Sequence, residues 1–164
     1  MVILVSDTSV LIDLDRGGLL EAAFSCNLNM VVPDLLYDRE LANENGPWLR
    51  QLGLGVVALT PPEMSLAQEV QNARPTLSLP DCFALSCATR DGYQLVTNDK
   101  ALRSEAQARL GQVFGLFWIL DQMAASGKVS KDLLFHGLTR IADHPRCRLP
   151  ATEIKSRLNA WRPT

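Results

Sequence analysis

Apolar residues follow two rhythms along this chain: short unbroken runs, and stripes spaced three or four apart. Val2-Ile3-Leu4-Val5, Met30-Val31-Val32, Val56-Val57-Ala58-Leu59 and the stretch Tyr93 to Thr97 are runs of the first kind. Such runs predict strands buried on both faces of a parallel sheet. A shorter one, Gln112 to Leu116, predicts a fifth strand. Between them lie helical stripes. Ser9 to Asp15 carries Val10, Leu11, Ile12 and Leu14 and is broken by Gly17-Gly18, after which Leu19 to Phe24 forms a second short helix. Pro33 suits the first turn of a helix over 34–43, and another short helix carries Trp48 and Leu49. Pro61-Pro62-Glu63 opens a helix to about Asn72, and 75–80 reads as a loop. Asp81 begins a helix that stops at Asp91-Gly92, and Lys100 to about Leu110 forms the next. Trp118 to Ala125, Lys131 to Ala142 and Ala151 to Trp161 are helices separated by Gly127, Pro145 and Pro150.

Strands alternating with helices at this spacing predict an α/β protein, a three-layer α/β/α sandwich on a mainly parallel sheet of about five strands, with helices at its C-terminal end. The 164 residues read as a single domain, 1–164, in which 119–164 form a helical C-terminal extension. Some 45 residues would build only a marginal core of their own. A hydrophobic fraction of 47% with 21% charged residues argues against disorder. No apolar run approaches the ~18 residues of a membrane span, and no basic region precedes the first apolar run, which therefore reads as a strand. A cytoplasmic protein without membrane association is the expectation. Cys26, Cys82, Cys87 and Cys147 include no C-x-x-C pair, so zinc spacing is absent and free, buried thiols are expected.

The net charge of −2 conceals an asymmetry. Residues 1–127 hold 8 basic and 15 acidic side chains, whereas 128–164 hold 8 basic and 3 acidic. An acidic body with a basic end suits cation binding on one side and polyanion contact on the other, and equally suits solvated helix faces.

The candidate chemistry lies where strands give way to helices. Asp7 follows the first strand directly, at the carboxyl end where open α/β sheets keep their sites. Asp99 follows the fourth strand in the same way, Asp81 sits in the first turn of its helix, and Glu40 lies about two turns into the helix after the second strand. Each has a plainer reading. Asp81 suits a helix N-terminus through the macrodipole, Asp99 suits an N-cap, and Glu40 is an ordinary helix-surface residue. Asp7 is different, because a carboxylate flush against a buried strand needs a partner. Gathered without a cation, such groups would repel and raise one another's pKa values. Hard cations such as Mg²⁺ and Mn²⁺ take oxygen ligands of this kind.

Four short motifs in register, Asp7-Thr8-Ser9-Val10-Leu11-Ile12, Val31-Val32-Pro33 followed by Glu40, Leu79-Pro80-Asp81, and Leu95-Val96-Thr97-Asn98-Asp99-Lys100-Ala101-Leu102, give the chain a resemblance to PIN-domain proteins. Over residues 1 to about 118 it is similar to the VapC-type toxins of prokaryotic toxin–antitoxin pairs and their relatives. That resemblance implies a metal-dependent ribonuclease in which Asp7, Glu40, Asp81 and Asp99 hold Mg²⁺ or Mn²⁺, directly or through water. Thr8, Ser9 and Thr97 then supply hydroxyls that orient water or a carboxylate, and the ion activates water for in-line attack on a phosphodiester. RNA is the implied substrate, and an antitoxin protein the implied partner. VapC-type toxins usually end sooner, and the extra basic stretch offers Arg146 and Arg148 as RNA contacts. His136 and His144 lie outside the motifs and read as bystanders.

A haloacid-dehalogenase-type phosphatase expects a second Asp two residues after the first, where this chain has Ser9. A receiver domain lacks its acceptor, since the third strand ends in Leu59-Thr60. A dinucleotide-binding fold lacks its glycine-rich turn. The serious alternative is a non-catalytic PIN-fold module that binds RNA or protein, which would have no reason to gather carboxylates that repel RNA. A homodimer is expected, with Trp48, Trp118 and Trp161 as candidate contacts, each of which reads equally well as core.

Overall fold

The computed structural model describes residues 2–163. Four strands, β1 (Ile3–Ser6), β2 (Asn29–Pro33), β3 (Gly55–Val57) and β4 (Tyr93–Val96), form one parallel sheet in the order β3-β2-β1-β4. In the centre, Val5 of β1 lies beside Val31 of β2 and Leu95 of β4. Leu4, Val5, Val32, Leu95 and Val96 are buried, as unbroken apolar runs require. The helices are α1 (Thr8–Arg16), α2 (Leu20–Ser25), α3 (Asp34–Leu36), α4 (Gly46–Leu52), α5 (Pro61–Ala73), α6 (Leu79–Cys87), α7 (Lys100–Leu110), α8 (Leu116–Ala125), α9 (Lys131–Asp143) and α10 (Ala151–Trp161). The apolar α6 lies directly on β1, β2 and β4 and is backed by α5; α1, α2, α8 and α9 pack together as the other helical layer.

Side-chain caps fix where the helices begin. Asp7, Ser78, Asp99 and Ser130 each accept a backbone N–H from the first turn of α1, α6, α7 and α9, and Thr60 and Glu63 form a reciprocal capping box on α5. The expected fifth strand at Gln112 to Leu116 is reduced to a single parallel bridge between Val96 and Phe114. Between Gly111, which ends α7 in the left-handed conformation, and Leu116, which starts α8, the pairing is confined to Phe114, whose N–H donates to Leu95 O at 3.0 Å and whose O accepts the Thr97 N–H at 2.9 Å. The helix expected over 34–43 also departs from regularity. After the single turn of α3 it continues as a π-helical turn, Tyr37–Leu41, in which Ala42 N–H donates to Tyr37 O at 2.8 Å. Gly46 crowds this turn, for a Cβ there would lie 2.4 Å from Leu41 O and 2.8 Å from the Tyr37 ring.

The C-terminal helices pack on the rest of the protein. Leu134, Leu138 and Ile141 of α9 are buried, and α9 packs on α1. Gly137 makes this approach possible, because a Cβ there would meet the Leu19 side chain at 2.7 Å. Of the three tryptophans, Trp161 is buried and belongs to the core, one of the two readings open to it. Trp118 is half-buried against Phe114, and Trp48 is exposed. Cys82 and Cys87 are buried free thiols, while Cys26 and Cys147 are free but only partly covered. Among the described residues no helix is long and apolar enough to cross a membrane.

Candidate functional site

The parallel register brings the ends of β1 and β4 side by side, with Ser6 paired to Val96. Asp7 and the segment Thr97-Asn98-Asp99 therefore emerge together. Asp7 is 2% exposed, and its carboxylate is held from three directions. The Val10 N–H donates to Oδ1 at 3.1 Å, the Ser9 hydroxyl lies 2.8 Å from both oxygens, and the Thr97 hydroxyl donates to Oδ2. Thr97 also accepts the Asp99 N–H at 3.0 Å, so one buried hydroxyl ties the two junctions together.

Asp99 caps α7 with Oδ1, 2.8 Å from the Leu102 N–H. Among the described residues its Oδ2 has no protein donor. Asp81 stands in the first turn of α6, where its N–H donates to the Ser78 hydroxyl at 3.2 Å. Glu40 is carried on the π-helical turn, a widened helix geometry common at functional sites. The Thr8 hydroxyl, from the start of α1, donates to Glu40 Oε1 at 2.8 Å. The plainer reading of Asp99 thus holds for one of its oxygens, and Asp7 caps a helix as well. In Asp99 the cap engages one oxygen, whereas in Asp7 the second oxygen is held by the Thr97 and Ser9 hydroxyls.

The four carboxylates feel one another. Burial pushes Asp7 up to about 6 against the lowering effect of its hydrogen bonds, and the charge of Asp81 adds to the rise. Asp81 is raised first by burial and then by the charges of Asp99 and Glu40, with Ser78 opposing. Among the described residues none of the four forms a salt bridge with Lys, Arg or His.

That donor set was tested against a divalent cation. Among the described residues no three Asp, Glu, His or Cys side chains come together as a ready-made cage. The donors are nevertheless all carboxylate oxygens, as hard cations prefer. Mg²⁺ in particular is usually held by one or two carboxylates while keeping several waters. The arrangement fits a water-rich site of that kind and does not fit a dry cage of direct ligands.

Thr8, Ser9 and Thr97 all make the hydroxyl contacts described, each to a carboxylate. Arg146 and Arg148 lie in the loop between α9 and α10, and with Ser9 and Asp99 they line one hollow. Two residues escaped the sequence reading. Asn98 donates to Asp13 Oδ2 at 3.2 Å and accepts the Leu116 N–H at 3.0 Å, so it ties α1 and the start of α8 to the end of β4. Asp13 is raised chiefly by burial, with Asn98 opposing. The adjacency of Asn98 to Asp99 was the one available signal. His136 is exposed and pairs with Asp132 on its own helix, and His144 receives the Arg146 N–H within its own loop.

In comparison with known protein families, the model of a family described as PIN domain matches residues 3–162. No curated protein matches the chain.

Proposed function

The chain belongs to the PIN-domain family, whose members are generally nucleases, and on that premise we propose that it is a ribonuclease dependent on Mg²⁺ or Mn²⁺. Asp7, Glu40, Asp81 and Asp99 hold the cation, some of them through water. The observation that carries this reading is the gathering of four carboxylates at one end of the sheet, where the charges of Asp7, Asp99 and Glu40 bear on Asp81 and, among the described residues, none of the four is ion-paired. Such a cluster is costly without a cation and becomes binding energy with one.

A bound divalent cation supplies Lewis acidity that makes water a nucleophile and stabilises charge on the phosphorus oxygens. The protein's own groups set the geometry. Thr97 and Ser9 fix the buried Asp7, the cap to Leu102 fixes the direction of Asp99, and Thr8 holds Glu40. Among the described residues Asp99 Oδ2 receives no protein donor, and Asp99 is exposed. As its role in the cell we propose the toxin of a toxin–antitoxin pair, which carries the added expectation that expression arrests growth. The spacing of the carboxylates, too open for a direct cage, favours a second reading, a non-catalytic PIN module that binds RNA or protein.

Cleavage of end-labelled single-stranded RNA, with Mn²⁺ and with EDTA, separates the two. Asp99→Asn keeps an oxygen for the Leu102 cap while removing the charge. Its expected cleavage rate is about two orders of magnitude or more below wild type, with an unchanged melting curve. Cutting that persists in EDTA, or in the Asn variant at the wild-type rate, would overturn the proposal.

A further inference from the structure

A cavity of about 570 Å³ opens beside the acidic centre, lined by Phe114, Phe117 and Trp118 together with Lys100, Arg103 and Arg148. Phe114 and Trp118 form a stacked pair, with ring centroids 4.3 Å apart and planes 9° from parallel. No acidic side chain lines this cavity. Among the described residues neither Lys100, Arg103 nor Arg148 has a carboxylate partner, and Arg103 donates only to the Thr97 carbonyl at 3.2 Å. By contrast, Arg74, Arg90, Arg109 and Arg157 elsewhere are each bound to a carboxylate. A smaller hollow of about 330 Å³, lined by Ser9, Asp99 and Arg146, shares Asn98, Arg148 and Leu149 with the large one. The two therefore adjoin, and a chain lying over both would pass from the carboxylates, over Arg148, to the aromatic pair.

We propose that this cavity is a nucleotide subsite for single-stranded RNA, in which a base stacks at the Phe114–Trp118 pair while Lys100 and Arg148 hold the adjoining phosphates. The inference rests on the ribonuclease reading for its direction, since it places this nucleotide next to the bond to be cut. The chemistry favours a nucleic acid over a protein segment. Uncompensated cations next to stacked aromatic rings form the usual platform for unpaired bases, whose faces are available only when the strand is single. The volume is within the range of small-ligand sites. Gly115 keeps the floor open: a Cβ there would lie 2.8 Å from Asn98 Oδ1 and 3.0 Å from Arg103 Nη1.

The test measures binding without cutting. A short fluorescein-labelled oligoadenylate is titrated in EDTA and followed by anisotropy. Trp118→Ala is expected to weaken binding about tenfold, and Trp118→Phe to keep most of the affinity. Lys100→Ala and Arg148→Glu are exposed changes that leave the aromatic pair intact, and each should reduce the salt slope of log K by about 0.7 or more. The same oligomer in a duplex should bind more weakly and be indifferent to Trp118→Ala. Single-strand binding unchanged in both Trp118→Ala and Arg148→Glu overturns the subsite. So does dependence on Trp118 without dependence on Lys100 and Arg148, which would mean that these cations do not hold the phosphates. The two proposals fail separately. Binding as expected with no cutting in Mn²⁺ rejects the nuclease and keeps the subsite. Metal-dependent cutting with wild-type KM in Trp118→Phe, Trp118→Ala and Arg148→Glu rejects the subsite and keeps the nuclease.

Discussion

Asp7 combines two demands that pull in opposite directions. As a cap it accepts the Val10 N–H, which favours the charged form; as a group that is 2% exposed it is desolvated, which disfavours it more. The result is a carboxyl pushed up to about 6. An unfolded chain would release that proton near the ordinary value of 3.8. The folded protein therefore binds the proton more tightly, and this stabilisation is complete below the unfolded value and is lost as pH rises through 6. The shift from 3.8 to about 6 corresponds to roughly 3 kcal/mol between the two limits. Asn resembles the protonated carboxyl in shape and does not titrate. In EDTA, Asp7→Asn and wild type should melt at similar temperatures near pH 4.5, with the variant becoming the more stable of the two above pH 7. Adding Mn²⁺ at pH 8 should reverse the order, because only the ionised wild-type group gains from the cation. Melting curves for the two proteins that run parallel from pH 4.5 to 8 would show that Asp7 is not the buried titrating group.

What could be read from the chain were the junctions where an apolar run stops at a carboxylate, because there the signal is local. Asp7 and Asp99 carry both their strand and their cap within a few residues of sequence. Asp81 belongs to the same kind, with Ser78 three residues ahead of it. The contacts that complete the site are not local. Asn98 spans to Asp13, 85 residues away, and Thr97 spans to Asp7 across 90. Glu40 was found in sequence, but its π-helical setting depends on how Gly46 crowds Leu41, which no periodicity records. The fifth strand is reduced to one bridge for a related reason, since a ladder depends on pairing with the distant β4 as well as on apolar residues. Helix α9 shows the same dependence on a distant partner. Gly137 sits in mid-helix, where glycine costs about 1 kcal/mol relative to alanine. Its bare Cα is what admits Leu19. Gly137→Ala should therefore destabilise the protein by about 1–3 kcal/mol in a urea melt, despite the better helix former. A gain in stability would mean that α9 is not pressed against Leu19.

The arrangement of the whole chain makes residues 119–164 part of the machine's support. Leu134, Leu138 and Ile141 are completely buried where α9 meets the body, and Trp161 of α10 is nearly so. Each such aliphatic side chain contributes about 1.5–3 kcal/mol on burial, and together they rival the ~5–15 kcal/mol that holds a typical domain folded. The helix they cover is α1, which begins at Thr8 and Ser9, beside Asp7. Beyond it, the loop between α9 and α10 places Arg146 and Arg148 against Ser9 and Asp99, so the basic end of the sequence faces its acidic body at the candidate site. We therefore propose one cooperative unit over 1–164. A chain ending at Gly127 should lack a cooperative thermal transition, and Leu138→Ala in the full chain should cost about 2–5 kcal/mol. If the shortened chain instead melted sharply at the wild-type temperature, the C-terminal helices would be a separable appendage. The acidic body alone would then be the folding unit, carrying 15 acidic against 8 basic side chains and no arginine from the α9–α10 loop with which to draw RNA to its carboxylates.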